Sequence, residues 1–236
     1  MKLDLTAYRV LSFDCYGTLI DWETGIVDAL RPSLSKRDIE LGDEELLELF
    51  GSLETGIQRP PYKTYREVLG LVLDAIGERL GFTPEAAERA AFAGSVATWP
   101  AFPDSSEALQ ALSKHYDLVI LSNVDDDLFA GSAQILGVDF ADVITAQQVG
   151  SYKPDRRNFE VLLDRLGRSK DEILHVAQSL YHDIAPASEI GLATVWVNRR
   201  HGREGSGATP PKAATPDLEV PDLATLASLV DEAFTD

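Results

Sequence analysis

Cysteine is almost missing from this chain of 236 residues: Cys15 stands alone. That excludes an intrachain disulfide framework and a cysteine zinc cluster, and it makes a reducing cytoplasm the expected compartment. Histidine is sparse as well, with four residues and no metal-ligand spacing, so the histidines predict no metal centre, and no cofactor motif is present. Long hydrophobic runs are lacking. The clean apolar stretches have strand length, such as Leu118 to Leu121, far short of the ~18 residues that a membrane helix needs. Asp4 interrupts any apolar leader. Positive charge is also in short supply, with 21 Lys and Arg against 39 Asp and Glu and a net charge of −18. A cationic face for nucleic acid or anionic lipid is therefore not expected. An anionic ligand would be repelled at long range, so any site for one must hold its own positive charge.

What is present is ordinary for a globule: 44% apolar and 25% charged residues. Val10 to Phe13 is a short apolar run ending at Asp14 and predicts a buried strand. A long stretch from about Thr24 to Trp99 carries only helical signals. Leu46, Phe50, Leu53 and Ile57 recur at helical spacing behind Asp43 as N-cap. Leu69, Val72, Leu73, Ile76 and Leu80 follow Thr64, with Glu67 completing a capping box. Thr83 and Pro84 predict the start of a third helix running to Ala97. Alternation of strands and helices resumes near Pro103. Strands are expected at Leu118 to Leu121, Val143 to Thr145, Ile173 to Ala177 and Thr194 to Val197. Helices are expected from Asp104 to His115, Leu128 to Leu136, Phe159 to Leu166, Ile184 to Ile190 and Asp222 to Leu229. Gly202 to Pro216 predicts a loop. Repeated βα units imply an α/β fold, a doubly wound Rossmann-like parallel sheet covered on both faces. The expected division is a core of residues 1–20 and 101–236 with an inserted helical cap of residues 21–100. Hinges are expected where the chain crosses between them.

In such sheets ligands bind beyond the carboxyl ends of the strands. Asp14-Cys15-Tyr16-Gly17-Thr18 stands at the end of the first strand, Ser122-Asn123 at the end of the second, and Gln178-Ser179 after the strand from Ile173, with Asp183 close behind. Ser151-Tyr152-Lys153-Pro154-Asp155 follows the short strand at Val143. A carboxylate, a hydroxyl and amide pair, a lysine and a second carboxylate thus converge on one edge. Cys15 reads as buried and inert, His175 as packing or exposed, and His182 as a surface residue or one supporting the site from behind.

Phe13-Asp14-x-Tyr16-Gly17-Thr18-Leu19 resembles the first motif of the haloacid dehalogenase-like superfamily. Leu121-Ser122-Asn123 is similar to its second motif, Tyr152-Lys153-Pro154 to its third, and Val176 through Asp183 to its fourth, in order over nearly the whole chain. Within that superfamily, Asp-x-Tyr-Gly-Thr resembles the metal-independent 2-haloacid dehalogenases of type II. The superfamily's phosphatases carry a second aspartate where this chain has Tyr16, and a magnesium-holding aspartate where it has Gln178. A phosphoryl dianion needs a cation and an alkoxide needs a proton, whereas a halide leaves as a stable anion.

The resemblance implies Asp14 as nucleophile toward a small anionic organic substrate, with Lys153 holding it ionised and Asp183 positioning Lys153 and a hydrolytic water. Thr18 and Ser122 would donate to carboxylate oxygens, Asn123 would lie near the departing halide, and Tyr16 would form an apolar wall. Arg59 is the nearest candidate for the family's substrate-contacting cap arginine. Phe159 stands where the family has a tyrosine, and Ser179 belongs to a fourth motif longer than the dehalogenases' own. A homodimer is a further implication. The rival readings are a magnesium-dependent phosphatase on the same fold and a binding protein that has lost its chemistry.

Overall fold

The computed structural model of the protein describes residues 3–235. Six strands form one parallel sheet: β1 (Val10–Phe13), β2 (Asp117–Ser122), β3 (Asp142–Thr145), β4 (Ile173–Ala177), β5 (Ala193–Val197) and β6 (Leu218–Val220). Their spatial order is β3-β2-β1-β4-β5-β6. This is the doubly wound order, and its topological switch point lies between β1 and β4. The sequence predicts five of these strands. β6 has only three residues, with Leu218 half-buried, Glu219 exposed and Val220 buried, too short to show a period.

Alternate residues of each strand feed two cores. Leu11, Phe13, Leu118, Ile120, Leu174 and Val176 join one cluster, which continues into the helical insertion. Val10, Val119, Leu121, Ile144 and Ile173 join the other. Burial on both faces explains why these strands read as continuous apolar runs.

The insertion contains α1 (Trp22–Ser35), α2 (Asp43–Ile57), α3 (Tyr65–Leu80) and α4 (Ala86–Ser95). Thr64 and Glu67 form the expected capping box on α3. Asp43 is the first residue of α2 rather than its cap; Gly42 occupies that place without a side-chain bond. Thr83 and Pro84 do not open α4, because Glu85 and Glu88 form their own capping box two residues later. The two crossings between insertion and sheet lie side by side, with Ile20 bridged to Ala101 and the Asp21 amide donating to the Pro100 carbonyl at 2.8 Å.

The remaining helices are α5 (Ser105–Leu112), α6 (Asp126–Leu136), α7 (Ala146–Val149), α8 (Arg156–Leu166), α9 (Ala185–Glu189) and α10 (Leu223–Thr235). Asp104 precedes α5 but does not cap it. Its carboxylate instead holds Arg199 and accepts from the Leu223 amide. The 202–216 segment is a loop fastened to the insertion. Arg200 pairs with Glu23 and Glu44, and the amides of Gly207 and Ala208 donate to the same two carboxylates. Among the described residues no helix is long and apolar enough to cross a membrane.

Candidate active site

Asp14 leaves β1 at the switch point, its amide donating to the Val176 carbonyl of β4 at 3.1 Å. The chain then turns sharply. Gly17 adopts a φ of 93°, a left-handed conformation that a side chain would strain. The turn brings Thr18 back onto Asp14. The Gln178 amide donates to Thr18 Oγ1 at 2.9 Å, and Thr18 Oγ1 donates to Asp14 Oδ2 at 2.7 Å. One hydroxyl proton is thereby committed to the carboxylate.

Lys153 lies in the loop between α7 and α8 and is only 2% exposed. Its Nζ donates to Asp14 Oδ1 at 2.9 Å, to Asp183 Oδ1 at 2.6 Å and to the Leu121 carbonyl at 2.7 Å. All three ammonium protons are placed. Asn123 fixes the lysine's backbone from both ends: its Oδ1 accepts from the Lys153 amide at 2.7 Å, and its Nδ2 donates to the Lys153 carbonyl at 3.0 Å. The residue expected near a departing halide is thus also the one that seats the lysine.

Asp183 arrives on a π-helical turn, Leu180–Ile184, in which the Ile184 amide reaches back to the Ser179 carbonyl. Ser179 lines the site, but its hydroxyl accepts from the His182 amide and meets His182 Nδ1 at 3.1 Å. It is spent on capping the turn. Asp183 Oδ1 also meets His175 Nε2 at 3.1 Å, while His175 Nδ1 meets Ser12 Oγ at 2.9 Å. A carboxylate only accepts, so Nε2 carries the proton. His175 is fully buried in β4 and braces Asp183 from within the sheet. The sequence reading missed this role, although a histidine inside a buried strand must find polar partners.

Phe159 does not join the site. It packs in the second core cluster, edge-on to His175 with ring centroids 5.4 Å apart. The phase of α8 turns it with Leu162 toward the sheet, so it supports His175 from behind and does not line the site.

The site is an inner chamber enclosing about 30 Å³ of space accessible to water, bounded below by Asp14, Ser122, Lys153 and Asp183. Tyr16 forms one wall, its hydroxyl 2.9 Å from Ser132 Oγ and its ring edge-on to Trp99. The roof comes from the insertion: Trp22, Glu54, Gln58 and Tyr65. Glu54 is a functional candidate that the sequence reading passed over. It is 3% exposed and accepts from the Tyr65 hydroxyl at 2.7 Å. The available signal was an acid on the buried stripe of α2, one turn beyond Phe50. Arg59 does not line the chamber. It lies exposed on an outer vestibule of about 330 Å³, shared with Tyr62, Arg157 and Tyr181. Gln58, Lys153 and His182 line both spaces.

Two buried polar atoms at the chamber have no partner, Ser122 Oγ and Asp183 Oδ2. Buried polar groups are normally bonded, so these two atoms are available to a ligand or to a water. Burial pushes the Asp14 carboxyl up. Attraction to Lys153 opposes this, repulsion from Asp183 adds to it, and the bonds from Lys153 and Thr18 recover only part. Burial also works against the Asp183 charge, but Lys153 and His175 outweigh it and hold that carboxyl below its usual range. Burial would lower Lys153, yet its two carboxylates keep it above the usual lysine value and charged. His182 is pushed down to about 4 by burial and is neutral. Asp14 is therefore the more basic of the paired carboxylates.

The family model for the haloacid dehalogenase-like hydrolases matches residues 8–191. The chain belongs to that family. An (S)-2-haloacid dehalogenase of Pseudomonas sp. (strain YL) is 25% identical over 228 residues, covering 94% of each chain. A ribulose-1,5-bisphosphate 5-phosphatase of Halopiger xanaduensis is 30% identical over 132 residues, 55% of each chain. The solved L-2-haloacid dehalogenase of Xanthobacter autotrophicus matches the fold with a TM-score of 0.80 at 22% identity, covering 95% of this chain and 98% of that one.

Some haloacid dehalogenase-like hydrolases use magnesium, so the donor set matters. A divalent cation here would draw on Asp14, Asp183 and the Gln178 amide. Lys153 takes Oδ1 of both carboxylates, and Gln178 Oε1 accepts from Thr209 Oγ1 at 3.3 Å. Among the described residues no three acidic, cysteine or histidine side chains converge to hold a metal. These donors do not fit a magnesium site.

Proposed function

We propose that the protein is a hydrolytic dehalogenase of small 2-haloacids that works through an aspartyl ester and without a metal. One observation carries this reading: the nucleophile Asp14 is held by Lys153 and Thr18, while the position that would protonate an alkoxide is Tyr16, whose phenol is engaged with Ser132. A leaving group that departs as a stable anion suits such a site. The similarity to (S)-2-haloacid dehalogenases along nearly the full chain supports it.

In the first step Asp14 attacks the halogen-bearing carbon in line. The new carbon–oxygen bond forms as the carbon–halogen bond breaks, and its electron pair leaves with the halide. Lys153 and Thr18 fix the carboxylate so that one oxygen lone pair faces the chamber. Ser122 Oγ is free to donate to the substrate carboxylate. In the second step water adds to the ester carbonyl of Asp14. Asp183 Oδ2, buried and unpartnered, is the acceptor placed for that water. The carbon–oxygen bond to Asp14's carbonyl carbon then breaks, the departing alkoxide takes the proton held by Asp183, and release of the 2-hydroxyacid regenerates Asp14 carrying one oxygen from water. The vestibule arginines, Arg59 and Arg157, supply the local positive charge that a protein of net charge −18 needs to attract an anion.

The test is halide release from both enantiomers of 2-chloropropionate with chelator present, beside an Asp14→Asn control. Release that survives chelation and disappears in the variant is the expected result. The phosphatase relatives define the opposing one: no halide release, with magnesium-dependent hydrolysis of phosphate esters.

A further inference from the structure

The chamber has an acidic roof. Glu54, on α2, lines the same chamber as Asp14, and the insertion brings no arginine into it. Its Oε1 is occupied by the Tyr65 hydroxyl, and no hydrogen bond from the described residues reaches Oε2. Attack by Asp14 is in line, so the halide must leave on the side opposite the floor, toward the roof. Among the described chamber residues the only cation is Lys153, whose three protons are all placed on the floor.

Building on the dehalogenase reading, we propose that the neutral carboxyl of Glu54 donates a hydrogen bond from Oε2 to the departing halide, serving as the cap's leaving-group donor in place of a cation. No proton is transferred: the halide leaves with its electron pair, and the O–H bond of Glu54 stays intact. Burial favours the neutral form of Glu54, which is 3% exposed, and the groups that share its surroundings bring no cation to it. Asp14 and Asp183 face it from the floor with Lys153 between them, His182 is neutral, and Tyr16, Tyr65 and Tyr152 bring only phenols. An ionised Glu54 would add a third carboxylate to this enclosure and repel the anionic substrate. Burial pushes the group up to about 7, and the Tyr65 bond offsets only part of that. The donor strengthens most for halides that accept hydrogen bonds best, so the substrates assigned are 2-fluoro- and 2-chloroacids ahead of bromoacids.

The test compares wild type, Glu54→Gln and Glu54→Ala on 2-fluoro-, 2-chloro- and 2-bromopropionate. Glu54→Gln keeps an acceptor for Tyr65 and offers an N–H that does not titrate. The wild-type kcat/KM should fall as pH rises through about 7, and Glu54→Gln should remove that limb. Glu54→Ala should lose at least tenfold more on the fluoro- and chloroacids than on the bromoacid. Equal losses on all halides, or a basic limb that persists in Glu54→Gln, would overturn the proposal. Infrared spectroscopy reads the same group without turnover: a protonated-carboxyl band at pH 6 should be absent in Glu54→Gln. No such difference refutes the neutral carboxyl whatever the substrate. If that band is present but the wild type releases no halide, the dehalogenase reading fails and takes this role of Glu54 with it.

Discussion

Replacing Glu54 with glutamine should stabilise the protein, and the gain should depend on pH. In the fold, burial raises the Glu54 carboxyl from 4.5 to about 7. The unfolded chain gives up this proton above 4.5, while the folded chain keeps it until about 7. Across that window the folded state binds more protons, so wild-type stability falls as pH rises. Each pH unit is worth about 1.4 kcal/mol, and a window from 4.5 to about 7 gives roughly 3 kcal/mol. Glutamine has the same shape, retains an oxygen for the Tyr65 hydroxyl and has no proton to lose. The difference between Glu54→Gln and wild type should be near zero at pH 4.5 and should approach about 3 kcal/mol in favour of the variant by pH 8. Urea unfolding of both proteins at stepped pH measures it. A stability difference that stays flat from pH 4.5 to 8 would show that Glu54 is ionised inside the fold and would refute the reasoning.

Three other perturbations have defined outcomes. Lys153→Met removes the charge shared by Asp14 and Asp183, so halide release should be lost and urea unfolding should show about 3–5 kcal/mol of destabilisation at neutral pH, easing as acid protonates the carboxylates. Arg59→Ala should raise KM severalfold and weaken its salt dependence while leaving kcat unchanged, because the side chain lies on the vestibule and outside the chamber. His175→Ala leaves Asp183 with one bond fewer; the loss of about 1–2 kcal/mol of charge-assisted bonding should lower kcat about tenfold and shift the acid limb of its pH profile upward.

The site was legible where its geometry is set locally. Val10 to Phe13 announces a strand buried on both faces, and Asp14 directly after it must lie at the sheet's carboxyl edge. Thr64 and Glu67 are three residues apart, so their cap is written in the sequence itself. Lys153 could be placed on the correct edge, but its three bonds come from segments 30 to 139 residues away. Phe159 was misplaced because position along the chain does not reveal which way α8 turns a residue when both its sheet face and the site are near. Glu54 escaped notice for a related reason. An acid on an apolar stripe reads as an interruption of the core until Tyr65 and the chamber are seen around it. β6 and the Thr209 bond to Gln178 depend on the loop fastened by Arg200, whose partners Glu23 and Glu44 lie in the insertion.

The most direct test of the account is a single turnover in H₂¹⁸O with enzyme in excess over 2-chloropropionate, followed by mass analysis of the peptide containing Asp14. Attack by Asp14 and hydrolysis at its carbonyl should place one heavy oxygen in that side chain and none in the first product released. Heavy oxygen found in the product, with an unlabelled Asp14, would mean that water attacks the substrate directly and would contradict the aspartyl-ester mechanism.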